Sequence, residues 1–429
     1  MPGRSRLLPV FACLGALTLC AQAADRFPRP DFTTDYAPPA LATPAPLPAW
    51  TGWLDILLLV AALALADHFA LRRRSRRALG LLAVVCVAYF GFWRHGCVCS
   101  VGALQNVAQS LADPATMIPA TVLAFFAIPL VWTLFSGRTF CAAVCPLGAV
   151  QELVLWRPLS IPFWLDRALG VMPWLYLGYA VLYAATGAGY PICREDPFVA
   201  IFRLGAPAPY VVATALFVGA SLFIGRPYCR FFCPYGALLG LMSRVSRRHV
   251  SISPAECVHC RLCEDACPYG AIRTPAPAAA PESRAVGARR LALTLALAVP
   301  LTLAAAGAGF AMGDRLAAVH PRIALARDVA RHPTAEAATG SDARTAFFLS
   351  GATPETLAAE ARALQRRFAI GGALWAGGLA IAMLLRLLGL SLWRSRKDYE
   401  PDRAACVSCG RCFAACPVGR KRTPPDQVP

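Results

Sequence analysis

The chain has 429 residues, 57% of them hydrophobic and only 15% charged, with a mean hydropathy of +0.51. A soluble domain carries about 25% charged residues, so the composition excludes an ordinary water-soluble protein and points to a polytopic membrane protein. The net charge of +18 rests on arginines that punctuate apolar stretches without forming a basic domain, which argues against nucleic-acid binding and for positive-inside topology.

In chain order, residues 1–24 read as a signal peptide. Arg4 and Arg6 precede an apolar stretch, and Ala21, Gln22 and Ala23 offer a small-residue cleavage site. Residues 25–49 are a proline-rich segment with no packing pattern, expected in the periplasm. Seven stretches of spanning or near-spanning length follow, near 50–71, 78–93, 118–135, 171–187, 209–225, 291–312 and 368–393. Arg72, Arg73, Arg74, Arg76 and Arg77 close the first of them and should lie in the cytoplasm. Counting onward puts 138–166, 226–290 and everything after Arg394 on the same side.

Two of those cytoplasmic segments carry one cysteine rhythm. Cys257, Cys260, Cys263 and Cys267, followed by Pro268, repeat as Cys406, Cys409, Cys412 and Cys416, followed by Pro417. That spacing is the bacterial ferredoxin run, in which three thiolates hold one [4Fe–4S] cube and the fourth reaches to a second. Eight ligands then serve two [4Fe–4S] clusters. Cys257, Cys260, Cys263 and Cys416 would hold one, and Cys406, Cys409, Cys412 and Cys267 the other. His259, inside the first run, is placed to tune its cluster. The expected fold is an all-α polytopic membrane protein, with about seven transmembrane helices after a signal peptide and a split cytoplasmic ferredoxin module of small α+β type. Its parts are a transmembrane bundle at 50–245, a first ferredoxin half at 246–287, a transmembrane helix at 288–312, a periplasmic helical loop at 313–367, a transmembrane helix at 368–393 and a second ferredoxin half at 394–429.

A second repeat joins Arg138, Cys141, Cys145, Pro146 and Gly148 to Arg226, Cys229, Cys233, Pro234 and Gly236. Two thiols four residues apart on a helical turn share a face, so the two pairs could form a four-thiolate redox or metal site. Arg138, Arg226 and Arg230 would favour thiolate there. Packing of small thiols in a bundle is the structural alternative. An iron–sulfur site, a copper site and a dithiol switch all fit the spacing. Cys97 and Cys99 form a shortened third copy facing the periplasm, as does Cys193, and for these three a disulfide and a ligand role are both open. Cys86, alone within a span, reads as packing.

The order of spans, paired Cys-x3-Cys-Pro motifs and ferredoxin runs, from about residue 50 to 417, resembles the NosR/NapH-type membrane polyferredoxins, accessory proteins of periplasmic nitrous-oxide and nitrate reductases. The resemblance implies an electron carrier of the bacterial inner membrane rather than a stand-alone enzyme, with a quinol-linked oxidoreductase component also within its scope. Electrons would pass from the quinol pool or a cytoplasmic reductant toward a periplasmic reductase or oxidase system. It also implies redox roles for Cys141, Cys145, Cys229, Cys233 and the eight ferredoxin cysteines. FixG/RdxA-type proteins, which look like copper reductants in oxidase assembly, share both motifs and define an alternative; a redox-sensing accessory role is a third. Unlike NosR, this chain has only a short proline-rich stretch where that protein has a flavin domain. Ser350, Gly351, Ala352 and Thr353 match the core of the motif that carries covalent FMN on threonine. The same residues read as a helix start, with Thr353 as N-cap and Pro354 at the first helical position, so FMN is not expected.

Overall fold

The computed structural model describes residues 48–96, 99–159, 161–203, 207–252, 257–276, 283–332, 342–390 and 395–420. The expected signal peptide, nearly all of the proline-rich segment and Cys97 lie outside the described residues.

Helices α1 (Ala49–Asp67) and α2 (Arg76–Cys86) each run on into a π-helical turn, His68–Arg72 and Val87–Trp93. Ser75 starts α2 by accepting the Ala78 amide on its hydroxyl at 3.3 Å, satisfying one of the free donors of a helix N-terminus. Between the two helices Asp55 is buried, paired with Arg94 at 2.7 Å and with the Tyr89 hydroxyl at 2.9 Å. A buried carboxylate needs such partners.

The middle of the chain is broken into shorter helices: α3 (Ser100–Ala112), α4 (Ala120–Ser136), α5 (Pro146–Leu153), α6 (Phe163–Leu169), α7 (Met172–Ala185), α8 (Pro191–Glu195), α9 (Pro197–Arg203), α10 (Ala208–Ser221), α11 (Pro227–Phe231) and α12 (Pro234–Arg244). Among the described residues five helices are long and apolar enough to cross a membrane: Trp50–Arg72, Arg76–Trp93, Trp164–Ala185, Arg284–Ala311 and Pro354–Gly389. The other two expected spans appear as the shorter apolar helices α4 and α10, of 17 and 14 residues. At 1.5 Å per residue they rise only about 26 and 21 Å, less than the roughly 30 Å of hydrocarbon. Left-handed residues follow both, Gly137 at φ 66° and Arg226 at φ 49°, where the chain turns into the Cys-x3-Cys-Pro motifs.

Helices α14 (Arg284–Ala311) and α18 (Pro354–Leu390) form a second unit, an intimate pair linked by α15 (Gly313–Ala317), α16 (Pro321–Arg331) and α17 (Asp342–Leu349). Gly309 and Gly372 meet backbone to backbone, and Gly313 lies on Ala369 with no room for a Cβ at either glycine. This is the small-residue packing by which helices associate in lipid. Trp375 of α18 fills a notch at Gly178 of α7 and docks the pair on the bundle. The outer face of α14 leaves Leu293 60%, Val299 65% and Leu303 66% exposed, a surface suited to hydrocarbon rather than water. The α18 helix has 37 residues, so it starts well before the expected span at 368 and supplies the end of the loop. Ala, Leu, Glu and Arg continue a good helical sequence through 355–367, and Arg366 and Arg367 do not interrupt it.

The two ferredoxin halves form one module at one end of the bundle. Strand β1 (Ile272–Arg273) pairs antiparallel with β2 (Glu400–Pro401), in the register Ile272 to Pro401 and Arg273 to Glu400, and an Ala276–Arg396 bridge extends the pairing. Helix α13 (Leu262–Asp265) packs on α19 (Arg411–Ala415), which leads into α20 (Pro417–Arg420). One continuous core runs from Leu63 and Phe90 in the bundle through Tyr235 and Val250 to Cys263, Cys412 and Phe413.

Candidate functional site

The packing of α13 on α19 brings the ferredoxin cysteines into two groups. Cys257, Cys260, Cys263 and Cys416 line one small cavity, with Ile252 and Tyr399. Cys267, Cys406, Cys409 and Cys412 line another, with Val250, Tyr269 and Val407. Each group takes three thiols from one run and one from the other, the grouping that the ferredoxin rule describes. The cause is local. Cys416 precedes a proline and is held extended (φ −72°, ψ 119°) just after α19, which carries its thiol away from its own loop.

The loops themselves are wound alike. His259 and Arg261 have φ of 51° and 63°, and Ser408 and Gly410, at the same places in the second run, have 57° and 79°. Such alternation turns successive amides inward and makes an anion-binding concavity. Amides of Ser408 and Arg411 do point at Cys406 and Cys409. Burial nonetheless pushes the thiols up, to about 11 for Cys406 and about 12 for Cys412. Thiolate in these cavities therefore requires a bound cation such as a metal.

Cys141, Cys145, Cys229 and Cys233 also come together, close enough that Cys145 feels the charge of the other three. They do not sit on continuous helical turns as expected. Cys141 lies in the π-helical turn Phe140–Val144, while Cys145 is extended and caps α5. Cys229 lies in α11 and Cys233 caps α12. The proline after each second cysteine causes the break, since it disfavours helical backbone in the residue before it. Three of the sulfurs receive an N–H. Arg138 Nη2 lies 3.8 Å from Cys141, Gln151 Nε2 donates to Cys229 at 3.2 Å, and the Gly236 amide to Cys233 at 3.3 Å. The Gly148 amide faces the Cys145 sulfur. A side chain at Gly148 would meet the Arg226 guanidinium at 3.1 Å and the Cys229 sulfur at 3.7 Å, so glycine permits the close approach of the two repeats.

Between this quartet and the ferredoxin module lies a buried ionic hub. Glu152 pairs with Arg226 at 3.2 Å, Arg411 at 2.8 Å and Arg76 at 3.6 Å, and accepts the Tyr269 hydroxyl. Burial pushes its carboxyl up, but Arg226 and Arg411 outweigh that and hold it below the usual carboxylate range. Arg226 also donates to the carbonyls of Cys141 and Ala142. Arg138 donates to the Ala404 carbonyl at 3.0 Å, and Cys141 packs on the same small cluster of Tyr269, Ala271 and Val407 as Cys267, Cys406 and Cys409.

Cys99 carries a free thiol, and the Cys193 sulfur lies against Gly102 of α3. Topology read from arginines sets them on the far side of the membrane from the quartet, but the structure draws them toward it. Asp196, buried, acts on the charge of Cys99 and Cys233 alike and accepts the Tyr228 hydroxyl. The breaks at α8, α9 and the motif loops fold these segments into the bundle interior. Cys86 is buried in the apolar core. Thr353 Oγ1 accepts the Thr356 amide at 3.4 Å, as an N-cap does. His259 and Asp398 lie beside Cys257, with all three ligand atoms within 4.8 Å. Glu152, Gln151, Asp196 and Tyr269 escaped the sequence reading. Glu152 alone left a signal, as a single acid between Val150 and the apolar Leu153 and Val154.

These features define a ferredoxin-type 4Fe–4S protein built into a helical membrane bundle. A 4Fe-4S binding domain family matches residues 118–171 and again 206–253, and a second 4Fe-4S binding domain family matches 250–273. The chain is 32% identical to the methylamine utilization ferredoxin-type protein MauN of Paracoccus denitrificans, over 52% of this chain and 81% of that protein. It is 31% identical to the regulatory protein NosR of Pseudomonas aeruginosa, over 51% of this chain and 33% of that protein. It is 28% identical to the putative electron transport protein YccM of Escherichia coli, over 39% of this chain and 52% of that protein. The chain thus spans about half the length of YccM and a third of NosR. No solved structure matches it. The chain belongs to the NosR/NapH-type membrane polyferredoxins.

Proposed function

We propose that this chain is a membrane-bound electron carrier with two [4Fe–4S] centres, one at Cys257, Cys260, Cys263 and Cys416 and one at Cys267, Cys406, Cys409 and Cys412. The observation that carries the reading is the sorting of eight thiols into two cavities, each taking its fourth thiol from the opposite run. Cubes in such sites supply one-electron chemistry at potentials set by hydrogen bonds, charge and burial. Arg411, Tyr269 and the inward-turned amides are the groups of this chain that would set them. The arginine-rich segments beside the module support a cytoplasmic side for it. Electrons would then run between a cytoplasmic reductant or the quinol pool and a periplasmic acceptor system.

The test is the full-length protein in vesicles reduced with dithionite. Two [4Fe–4S] resonances in electron paramagnetic resonance are expected. Cys416→Ala should abolish the resonance that Cys257→Ala also abolishes, and leave the one lost in Cys409→Ala. A Cys416→Ala protein that loses the same resonance as Cys409→Ala would overturn the ligand assignment, and wild-type vesicles with no resonance would overturn the function.

A further inference from the structure

We propose that Arg167, Arg244 and Arg386 form a binding site for the phosphate of an anionic phospholipid, at the membrane surface nearest the ferredoxin module. The site stands on the placement of these arginines and not on the electron-carrier reading.

Three elements distant in sequence deliver the charges. Arg167 lies in the last turn of α6 and Arg244 in the last turn of α12. Arg386 lies near the end of α18. Helices α12 and α18 both pack on α7, which begins at Met172, just beyond α6. Arg386 Nη2 donates to the Gly170 carbonyl at 3.1 Å, tying the end of α18 to the end of α6. Arg244, Arg167 and Asp166 are the charges that act most strongly on it.

Their depth fits a headgroup. Arg167 and Arg386 each lie three residues inside the end of an apolar span, Trp164–Ala185 and Pro354–Gly389. That is about 4.5 Å at the rise of an α-helix, close to the boundary between hydrocarbon and headgroups. Ionisable groups within a span are costly, and they mark functional positions. Trp164 is largely exposed, as an aromatic at the membrane interface is. Leu385 and Leu387 flank Arg386, and Val245 follows Arg244, all of them exposed. The arginines are thus bordered by apolar surface on which acyl chains can lie, a surface of no use to free phosphate.

The balance of charge calls for an anion. Asp166 is the carboxylate of this group, and Arg230 already holds it at 2.6 Å. Four guanidinium groups, those of Arg167, Arg230, Arg244 and Arg386, thus share one acid. Arg244 has neither hydrogen bond nor ion pair among the described residues. Snorkelling accounts for a single arginine near a span end, and a helix C-terminus for Arg167 or Arg244 taken singly. Neither accounts for three drawn together against their mutual repulsion. A phosphate group supplies the missing charge, and guanidinium meets it with paired N–H donors.

The ferredoxin module is joined to the same place. Arg230 also donates to the carbonyl of Pro268, the residue after Cys267, at 3.2 Å. With lipid satisfying the other three arginines, Asp166 is left to Arg230, which holds the first ferredoxin half on the bundle.

The experiment measures binding of phosphatidylglycerol to delipidated full-length protein in neutral detergent, by native mass spectrometry, against phosphatidylcholine and inorganic phosphate. Phosphatidylglycerol should bind, phosphatidylcholine should bind far more weakly, and inorganic phosphate should not displace the bound lipid. Arg386→Gln should weaken binding about fivefold, the worth of one arginine at an anionic surface, and Arg386→Lys by less. Arg289→Gln removes an exposed arginine at the foot of α14 and should leave the affinity unchanged. Equal losses in Arg386→Gln and Arg289→Gln overturn the proposal, because the attraction is then diffuse. Displacement by inorganic phosphate overturns the lipid as occupant. Arg244→Gln breaks no hydrogen bond and covers the case in which Arg386→Gln fails to fold; an unchanged affinity in it overturns the site as well.

Discussion

Glu152 Oε1 and Arg411 Nε meet at 2.8 Å, joining helix α5 of the bundle to the ferredoxin helix α19 across 259 residues of sequence. The same carboxylate takes Arg226 and Tyr269, so one acid ties the bundle to both halves of the module.

Glu152→Gln should therefore loosen the C-terminal half more than the bundle. Removing one partner of a buried ion pair costs about 3–5 kcal/mol because the remaining charges stay buried and uncompensated. The expected result is early proteolytic release of the segment beginning near 395 and loss of the Cys409-linked resonance before bundle unfolding. Equal protease resistance of variant and wild type would contradict it.

Gly309 and Gly307 lie two residues apart on α14 but differ in surroundings. A Cβ at Gly309 runs into the Gly372 backbone, whereas one at Gly307 meets nothing within 4 Å. Gly309→Ala should destabilise the α14–α18 pair by about 1–3 kcal/mol, as overpacking does. Gly307→Ala should be neutral or stabilise by about 0.5–1 kcal/mol through helix propensity. Thermal unfolding in detergent of the two variants checks the opposite signs.

How much of this could be read beforehand depends on the range of the signal. The ferredoxin runs were legible because ligand spacing is a local code. Two of the apolar stretches, 50–71 and 78–93, fall within the long spanning helices, and 171–187, 291–312 and 368–393 fall largely within them, because hydropathy is local too. The shapes of the Cys-x3-Cys-Pro motifs were not read, although Pro146 and Pro234 announce a break after the cysteine. The approach of Cys99 and Cys193 to the quartet was invisible, since it depends on how α3, α8 and α9 fold back between spans. Glu152 was missed because a lone acid carries no periodicity, and its three arginines come from α2, the α11 cap and α19.

Thr353 offers a test of the flavin motif. Its hydroxyl accepts the Thr356 amide, a capping role that leaves the oxygen occupied. Thr353→Ala should cost about 0.5–1 kcal/mol, the worth of an N-cap hydrogen bond. It should leave the visible spectrum and the mass, beyond the substitution itself, unchanged. A wild-type mass carrying a flavin mononucleotide adduct that the variant lacks would reverse this reading.

Asp402 gives the module an acid limit. Burial pushes its carboxyl up, but the Arg273 hydrogen bonds and the Ala404 and Ala405 amides outweigh that and hold it below its ordinary value. Arg273 Nε donates to Oδ2 at 2.8 Å, and the Ala404 amide to Oδ1 at 2.8 Å. A carboxyl lowered by folding stabilises above its unfolded pKa, about 3.9, and that contribution disappears as pH falls through the folded value. Arg273 is half exposed, so solvent screening limits the pair to roughly 1 kcal/mol. Asp402→Asn should thus lower the unfolding temperature of the module by a constant amount from neutral pH to about pH 5. The gap should shrink as the pH drops further, because the wild-type carboxyl then becomes protonated too. A gap that widens toward acid would show that Asp402 is not the group that binds the proton.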